Sequence, residues 1–530
     1  MNKLKTSTRT AITALSVFIL LTCSILILLQ SPLSPGSIHY PGSESSLYLY
    51  TGSQLLNGSM PYRDTFDFHA PLVFLIDALG LFVGGSFGVW LFEIHFLAIT
   101  LIIVFALLNR CVGPITALLT SLLFTALVGA SLQGGNHIEE YALLFQALAL
   151  KGFVSYFTKG RLTLLSVYLI GVSAALAFCL NPSILAFWLP FLCALFLMIL
   201  KKEGLGMALT RLLTIIFSTS LAFILLLPWL HMNNALTSCW NQMAFYYQDL
   251  LPTISGPARL AALRFFLERP VFIFIVVISL AAAIKLLILR RQSKKGNNGD
   301  KTARPPLLAV PASEAPFGRN TGTLIITNLC AALLVFSTMA LPGRTDEHLV
   351  LSGLICLLLP MAYLLNLGVQ SFLNKAPLRM SLTVALVALL AVFLGLPGFR
   401  AALSLAREQR QQSSALAEQQ ELVREIQSRQ SSDEPLIVYG DECWVYVASG
   451  SPSATLYAYQ PFGATLRPDL SADFQRQATR AEATLLVGRV GEGLVERFRG
   501  IDGYERIFKN RQYELYRRIE EVPPSTVQVE

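Results

Sequence analysis

Long apolar runs alternate with short polar stretches along the first three quarters of the chain. Runs at 11–29, 88–108, 112–130, 140–157, 162–179, 183–200, 211–230, 270–290, 322–341, 348–367 and 380–399 each approach the roughly 20 residues that cross a bilayer as a helix. They predict about eleven spans. The first follows Lys3, Lys5 and Arg9 and is too long for the apolar part of a signal peptide, so it reads as a retained span. Residues 71–87 are apolar but carry Asp77 and several glycines, which predicts one or two helices lying at the interface. After about Ala401 the pattern changes. A charged, glutamine-rich helical stretch to Gln430 gives way to β-like runs at Leu436–Tyr439, Thr484–Gly488 and Tyr513–Tyr516. Mixed helix and strand signals there predict a small α/β domain. The expected architecture is a polytopic α-helical membrane protein. Residues 1–400 form its transmembrane domain, with a first outer loop at 30–87, and 401–530 form an extracytoplasmic α/β domain.

Charge placement sets the orientation. Arg110, Lys159/Arg161, Lys201/Lys202/Arg211, Arg290/Arg291/Lys294/Lys295 and Lys375/Arg379 fall on the same side as the N-terminal lysines. The positive-inside rule makes that side cytoplasmic and puts the C-terminus outside. The net charge of +8 is thereby a topology signal rather than a nucleic-acid footprint. A polar linker spans Arg290–Asn320. No CxxC pair occurs, so a zinc or redox motif is not supported. The titratable groups of the apolar region gather on the other side: five of the six histidines (His39, His69, His137, His231, His348) and the acids Glu44, Asp64, Asp67, Glu139, Glu140, Asp249, Asp346 and Glu347 fall in outward loops or span ends.

The first outer loop holds the densest set. Ser43-Glu44-Ser45-Ser46 opens an apolar helical stretch closed by Asn57-Gly58. Glu44 then sits in a first helical turn, where the helix dipole favours an ionised carboxylate. Such a group can accept a proton, hold a divalent cation, or simply cap the helix. Pro61-Tyr-Arg-Asp-Thr-Phe-Asp-Phe-His-Ala-Pro71 is made rigid by its two prolines. Asp64 and Asp67 with His69 can hold a metal or position an acceptor, Arg63 can grip a phosphate through two parallel hydrogen bonds, and Tyr62 is a further substrate contact. The alternative is a turn held by its own Asp and Arg. Further along, Glu139 opens a span beside Gly135-Asn136, and Arg344 and His348 lie in an outward turn suited to phosphate. Asn181-Pro182 reads as a helix break. No Walker A sequence, dinucleotide fingerprint or GxSxG elbow is present in context.

The order Glu44-Ser-Ser-x-Tyr-Leu-Tyr50, Leu55-Leu-Asn-Gly58, Pro61-Tyr-Arg-Asp-x-Phe-Asp67 and Pro71-Leu-x-Phe-x-Ile-Asp-Ala-Leu-Gly80 resembles bacterial polytopic glycosyltransferases of the GT-C superfamily. The nearest branch is the family 39-like group of protein O-mannosyltransferases, aminoarabinose transferases and lipid A core galacturonosyltransferases. The resemblance is dense over 40–85 and diffuse elsewhere. It implies inverting transfer of a hexose or pentose from a polyprenyl-phosphate donor to an envelope lipid, glycan or protein on the outer face of the bacterial inner membrane. It places the base or site-organising acid at Glu44, where the family usually carries aspartate, with Asp64 and Asp67 as companion acids. Arg63, Tyr62, His69, Arg344 and His348 are then substrate contacts. A divalent metal, where one is used, would involve Glu44 and Glu139. Two alternatives are a transporter or flippase of envelope precursors, which would bury ionisable groups at mid-membrane depth, and a non-catalytic assembly protein with the C-terminal domain as binding module.

Overall fold

The computed structural model describes residues 2–245, 248, 251–297, 320–373, 395–458, 468–481, 483–491, 494, 498 and 501–519. Among these, seven helices are long and apolar enough to cross a membrane: Thr10–Leu28, Leu72–Val112, Pro114–Ser131, Pro182–Glu203, Pro270–Ile288, Thr321–Ala340 and Glu347–Gln370. Leu205–Leu221 and Phe223–Met232 meet at a 41° bend and together make an eighth. The chain is a multi-pass membrane protein. The expected spans at 140–157 and 162–179 are also helical, as α5 (Ile138–Lys159) and α6 (Leu164–Phe178). The first carries four charged residues and the second is short. Most of the 380–399 run, Lys375, Arg379 and the greater part of the 290–320 linker lie outside the described residues.

Helices α1 (Asn2–Leu28), α3 (Leu72–Val112), α4 (Pro114–Ser131) and α5 pack around one continuous apolar core. The predicted interfacial stretch is the first part of α3, set off from the rest where Gly84 and Gly85 leave helical geometry. The two parts close on each other at Gly80 and Gly88, where a Cβ on Gly88 would overlap the Gly80 carbonyl oxygen.

Helix α2 (Ser43–Leu56) joins the bundle to the C-terminal domain. Residues two apart in a helix point about 200° apart. Tyr48 therefore packs into the bundle core, edge-on to His69 at 5.3 Å, while Tyr50 packs into the C-terminal core, 5.0 Å from Tyr446. The Tyr50 hydroxyl also accepts from the Ser453 amide at 2.8 Å. The first outer loop is tied to the same domain. The Phe66 amide donates to Leu456 O at 2.7 Å, the Ile38 amide donates to Gln409 O at 3.0 Å, and Arg410 donates to Leu29 O and Pro35 O, both at 3.0 Å.

The C-terminal sheet has four strands, β1 (Leu436–Val438), β2 (Leu485–Arg489), β3 (Tyr504–Lys509) and β4 (Tyr513–Arg518), in the order β1-β2-β4-β3. β1 and β2 are parallel and the other pairs antiparallel. Alternate residues face opposite ways. Leu436, Val438, Leu485 and Val487 meet Tyr50 and Trp444, whereas Ile437, Leu486 and Tyr516 meet Phe474 and Phe498.

Overpacking a close backbone contact costs about 1–3 kcal/mol. Gly88→Ala should therefore lower the melting temperature of the purified protein. Gly206→Ala, in a helix with nothing near its Cβ, should leave it unchanged or slightly higher.

Candidate functional site

Glu44 occupies the first turn of α2. The N-cap is Gly42, and Asn57 with Gly58 at positive φ closes the helix as the sequence led one to expect. Glu44 is held from a part of the chain 300 residues away. Arg344 Nη1 donates to its Oε1, and His348 Nε2 lies 3.3 Å from its Oε2. The same Arg344 grips Asp346 Oδ2 through Nη2 at 2.6 Å and Nε at 2.7 Å. The Glu44 side chain is only 14% exposed. Burial pushes its pKa up, but the adjacent His348 imidazole and the Arg344 charge outweigh burial and hold the carboxyl well below its ordinary range. It is a persistent anion.

His137 stacks on His348 with ring centroids 4.1 Å apart and planes 1° from parallel. Burial and the neighbouring His348 push the His137 imidazole down to about 3, so it is neutral at physiological pH. Glu44, His137 and His348 bring one ligand atom each within 4.8 Å of one another. Two imidazole nitrogens and a carboxylate oxygen suit zinc and similar divalent ions. Glu139, expected as a metal residue, is not in this group. His137 precedes the first turn of α5 and lines one cavity beside Glu44, whereas Glu139 lies inside that turn and lines the other.

Those two cavities meet at Glu44 and Arg344. One, of about 70 Å³, is lined by Tyr48, His69, Glu139, Asn181 and Ser183 among others. The second, of about 280 Å³, is lined by Ser43, Ser45, His137, Asp346, His348 and Asp441. Asn181, read from sequence as a helix break, therefore also forms a cavity wall. Asp441 brings the C-terminal domain into the site, and no local motif marks it.

The Pro61–Pro71 segment divides in two. Arg63 and Asp64 pair with each other, Nε–Oδ1 at 2.8 Å and Nη2–Oδ2 at 2.6 Å, and Arg63 also donates to Asn233 O at 3.2 Å. Asp64 accepts from the Met60 amide at 2.7 Å. The Arg63 guanidinium beside it holds its carboxyl below the usual range. Neither residue lines the cavities at Glu44, because a charge pair adjacent in sequence closes its own turn. The other half turns inward. Asp67 is buried, and its Oδ1 accepts from His69 Nδ1 at 2.7 Å and from the His69 amide at 2.8 Å. Burial lowers the His69 pKa, but the Asp67 charge and hydrogen bond outweigh it and raise the value above the ordinary one. The Tyr62 hydroxyl donates to His69 O at 2.7 Å, so Tyr62 supports the loop from a buried position.

Behind Glu44 lies a network that sequence reasoning missed. Gln133, Gly134, Gly135 and Asn136 all have positive φ, a left-handed run that delivers His137 to the start of α5. The Asn136 amide donates to Glu93 Oε1 at 2.5 Å and Glu140 Oε2 at 3.2 Å. Its side chain donates to Asp77 Oδ2 and to Ser45 Oγ, both at 3.0 Å, and accepts from the Tyr141 hydroxyl at 2.7 Å. A Cβ on Gly135 would overlap Glu93 Oε1. Asp77 and Glu93, lone acids in apolar runs, were the available signal.

Several solved structures share this architecture. ArnT from Cupriavidus metallidurans, in its crystal structure bound to undecaprenyl phosphate, matches with a TM-score of 0.56 and 12% identity over 96% of this chain and 98% of its own. The Archaeoglobus fulgidus oligosaccharyltransferase tethered to an acceptor peptide matches with a TM-score of 0.53 and 12% identity over 99% of this chain and 76% of its own. The same enzyme in complex with zinc and sulfate gives 0.50 and 13%, over 95% and 73%. At such identities these likenesses establish the fold, that of the GT-C membrane transferases, as the motifs of the first outer loop led one to expect. No curated protein matches the chain by sequence. Residues 5–295 of the 530, more than half of the chain, match the family described as Putative competence-induced protein Ccs4 N-terminal domain, and the protein belongs to that family.

Proposed function

We propose that the protein is an integral membrane glycosyltransferase that moves a sugar from a polyprenyl-phosphate donor to an envelope lipid, glycan or protein acceptor on the outer face of the membrane. The observation that carries this reading is an ionised, nearly buried Glu44 held by Arg344 where two cavities meet. One cavity would take the donor and the other the acceptor. Known GT-C structures with undecaprenyl phosphate or an acceptor peptide support both kinds of occupant.

The strong Arg344–Glu44 pair has a chemical consequence. A carboxylate held well below its ordinary pKa is a weak base. A donor phosphate competes for the Arg344 guanidinium, which it can bind through two parallel hydrogen bonds. Its arrival loosens the pair and raises the basicity of Glu44 only when the donor is in place. Glu44 then takes the proton from the acceptor hydroxyl. The acceptor oxygen bonds to the anomeric carbon as that carbon's bond to the phosphate oxygen breaks, and polyprenyl phosphate leaves. One displacement inverts the anomeric centre. His69, oriented by Asp67, would hold the acceptor from the Tyr48 side. A divalent cation held by Glu44, His137 and His348 would add positive charge for the leaving phosphate.

Glu44→Gln should reduce transfer from polyprenyl-phosphate sugar in membranes by about 100- to 10,000-fold, while Arg63→Gln should stay within about fivefold of wild type. Unchanged turnover in Glu44→Gln would sink the base assignment. Metal analysis of purified protein should find about one ion of the zinc class per chain, and His137→Ala/His348→Ala should lose it. Equal metal content in the two would remove the cation from the reading.

The Asp67–His69 pair sets a pH dependence. The folded pKa of His69 is raised, so its contribution to stability is fully present below the unfolded value of about 6.5 and is lost as pH rises through the folded value. The melting-temperature gap between wild type and Asp67→Asn should be widest at and below about pH 6.5 and narrow at higher pH. A gap that widens with rising pH would contradict it.

A further inference from the structure

The other end of α5 holds a second polar cavity that the proposed transfer does not use. α5 has 22 residues, about 33 Å at 1.5 Å per residue, so this end lies a bilayer's width from Glu44. The cavity, of about 510 Å³, opens between α3, α5 and α6. It falls within the roughly 300–1,000 Å³ range of ligand sites. Three cations line it, Arg110 from the last turn of α3 and Lys151 and Lys159 from α5, with the hydroxyls of Ser155, Thr158 and Ser166 between them. Lys151, Ser155, Thr158 and Lys159 follow the spacing i, i+4, i+7, i+8 and share one helix face. Among the described residues, no acid lines the cavity. The nearby Lys202 is engaged separately, donating to Gly160 O at 3.0 Å and lying 3.6 Å from Glu203.

Topology alone accounts for Arg110 and Lys159, which sit at helix ends where charges orient a span and reach water. It does not account for Lys151. That residue is two turns further in, about 12 Å from Lys159 along the axis, is half-buried and lines the cavity. A charge at that depth is stabilised by compensation, and among the described residues no acid lines the cavity to supply it.

We propose that this cavity binds the phosphate-bearing headgroup of an anionic phospholipid, of the phosphatidylglycerol kind, from the leaflet opposite the Glu44 site. The three cations meet the phosphate and the hydroxyls meet the headgroup glycerol. Basic pockets between membrane helices bind anionic headgroups in this way. The apolar part of the lining, Leu107, Leu165 and Leu169, favours a lipid over a free anion. Leu165 is 65% exposed on the outside of the bundle, where acyl chains run.

The test uses full-length protein in detergent, titrated with phosphatidylglycerol, with zwitterionic phosphatidylcholine or with inorganic phosphate, and read by native mass spectrometry and melting temperature. Phosphatidylglycerol should be retained in preference to phosphatidylcholine. Arg110→Gln and Lys151→Gln should each weaken retention about fivefold and together about 25-fold, whereas Lys285→Gln should not. Melting of each variant without added lipid checks that it is folded. Equal retention by wild type and the double variant, or equal stabilisation by inorganic phosphate alone, would overturn the assignment. Retention is independent of transfer activity, so it stands or falls separately from the function proposed for Glu44.

Discussion

The contact between Glu44 and Arg344 is what makes this end of the bundle a site rather than a set of loops. A carboxylate shielded from water is costly unless opposed by charge and hydrogen bonds. Glu44 is opposed from a turn 300 residues away, between two membrane helices. The pair therefore forms only when the bundle has brought α2 beside the turn before the Glu347–Gln370 span. Arg344 remains partly exposed and shares itself with Asp346. Its hold on Glu44 is thus strong enough to keep the acid ionised, yet open to exchange with a phosphate.

Helix α2 carries this arrangement between two bodies. Its Tyr48 face belongs to the membrane core and its Tyr50 face to the C-terminal core. The hydrogen bonds from Phe66 to Leu456 and from Ile38 to Gln409 clamp both flanks of the helix to the same domain. Asp441 then closes the second cavity from that side. The C-terminal domain is part of the wall of the site, and its removal would open the cavity to water and weaken every charge interaction at Glu44.

Much of this was legible because apolar length and charge alternation are strong, local signals. Glu44 in a first helical turn and the α/β character of the tail both follow from patterns within a few residues. β3 was missed because Tyr504–Lys509 is largely exposed and lacks the apolar run that marks β2. The Pro61–Pro71 segment holds both of the readings its sequence allows: Arg63 and Asp64, being adjacent, satisfy each other, while Asp67 and His69 turn inward. His137 was recognised only as an outward histidine. Its role depends on the left-handed run from Gln133 to Asn136, and two of those four residues are not glycine. The surrounding carboxylates, Ser45 and Tyr141 hold Asn136 in that conformation.

Those carboxylates explain how a polar site is kept rigid at the edge of a bilayer. Asn136 bonds to Asp77, Glu93, Glu140 and Ser45 at once, so three helices, α2, α3 and α5, meet at one side chain and its amide. Ser45 is the residue after Glu44. Any shift of the α5 start would break several buried hydrogen bonds together, and each unsatisfied group costs about 1–3 kcal/mol. The network thus fixes Glu44 through its neighbour Ser45, which also lines the second cavity. It leaves the Arg344 side as the part of the site free to respond to a ligand.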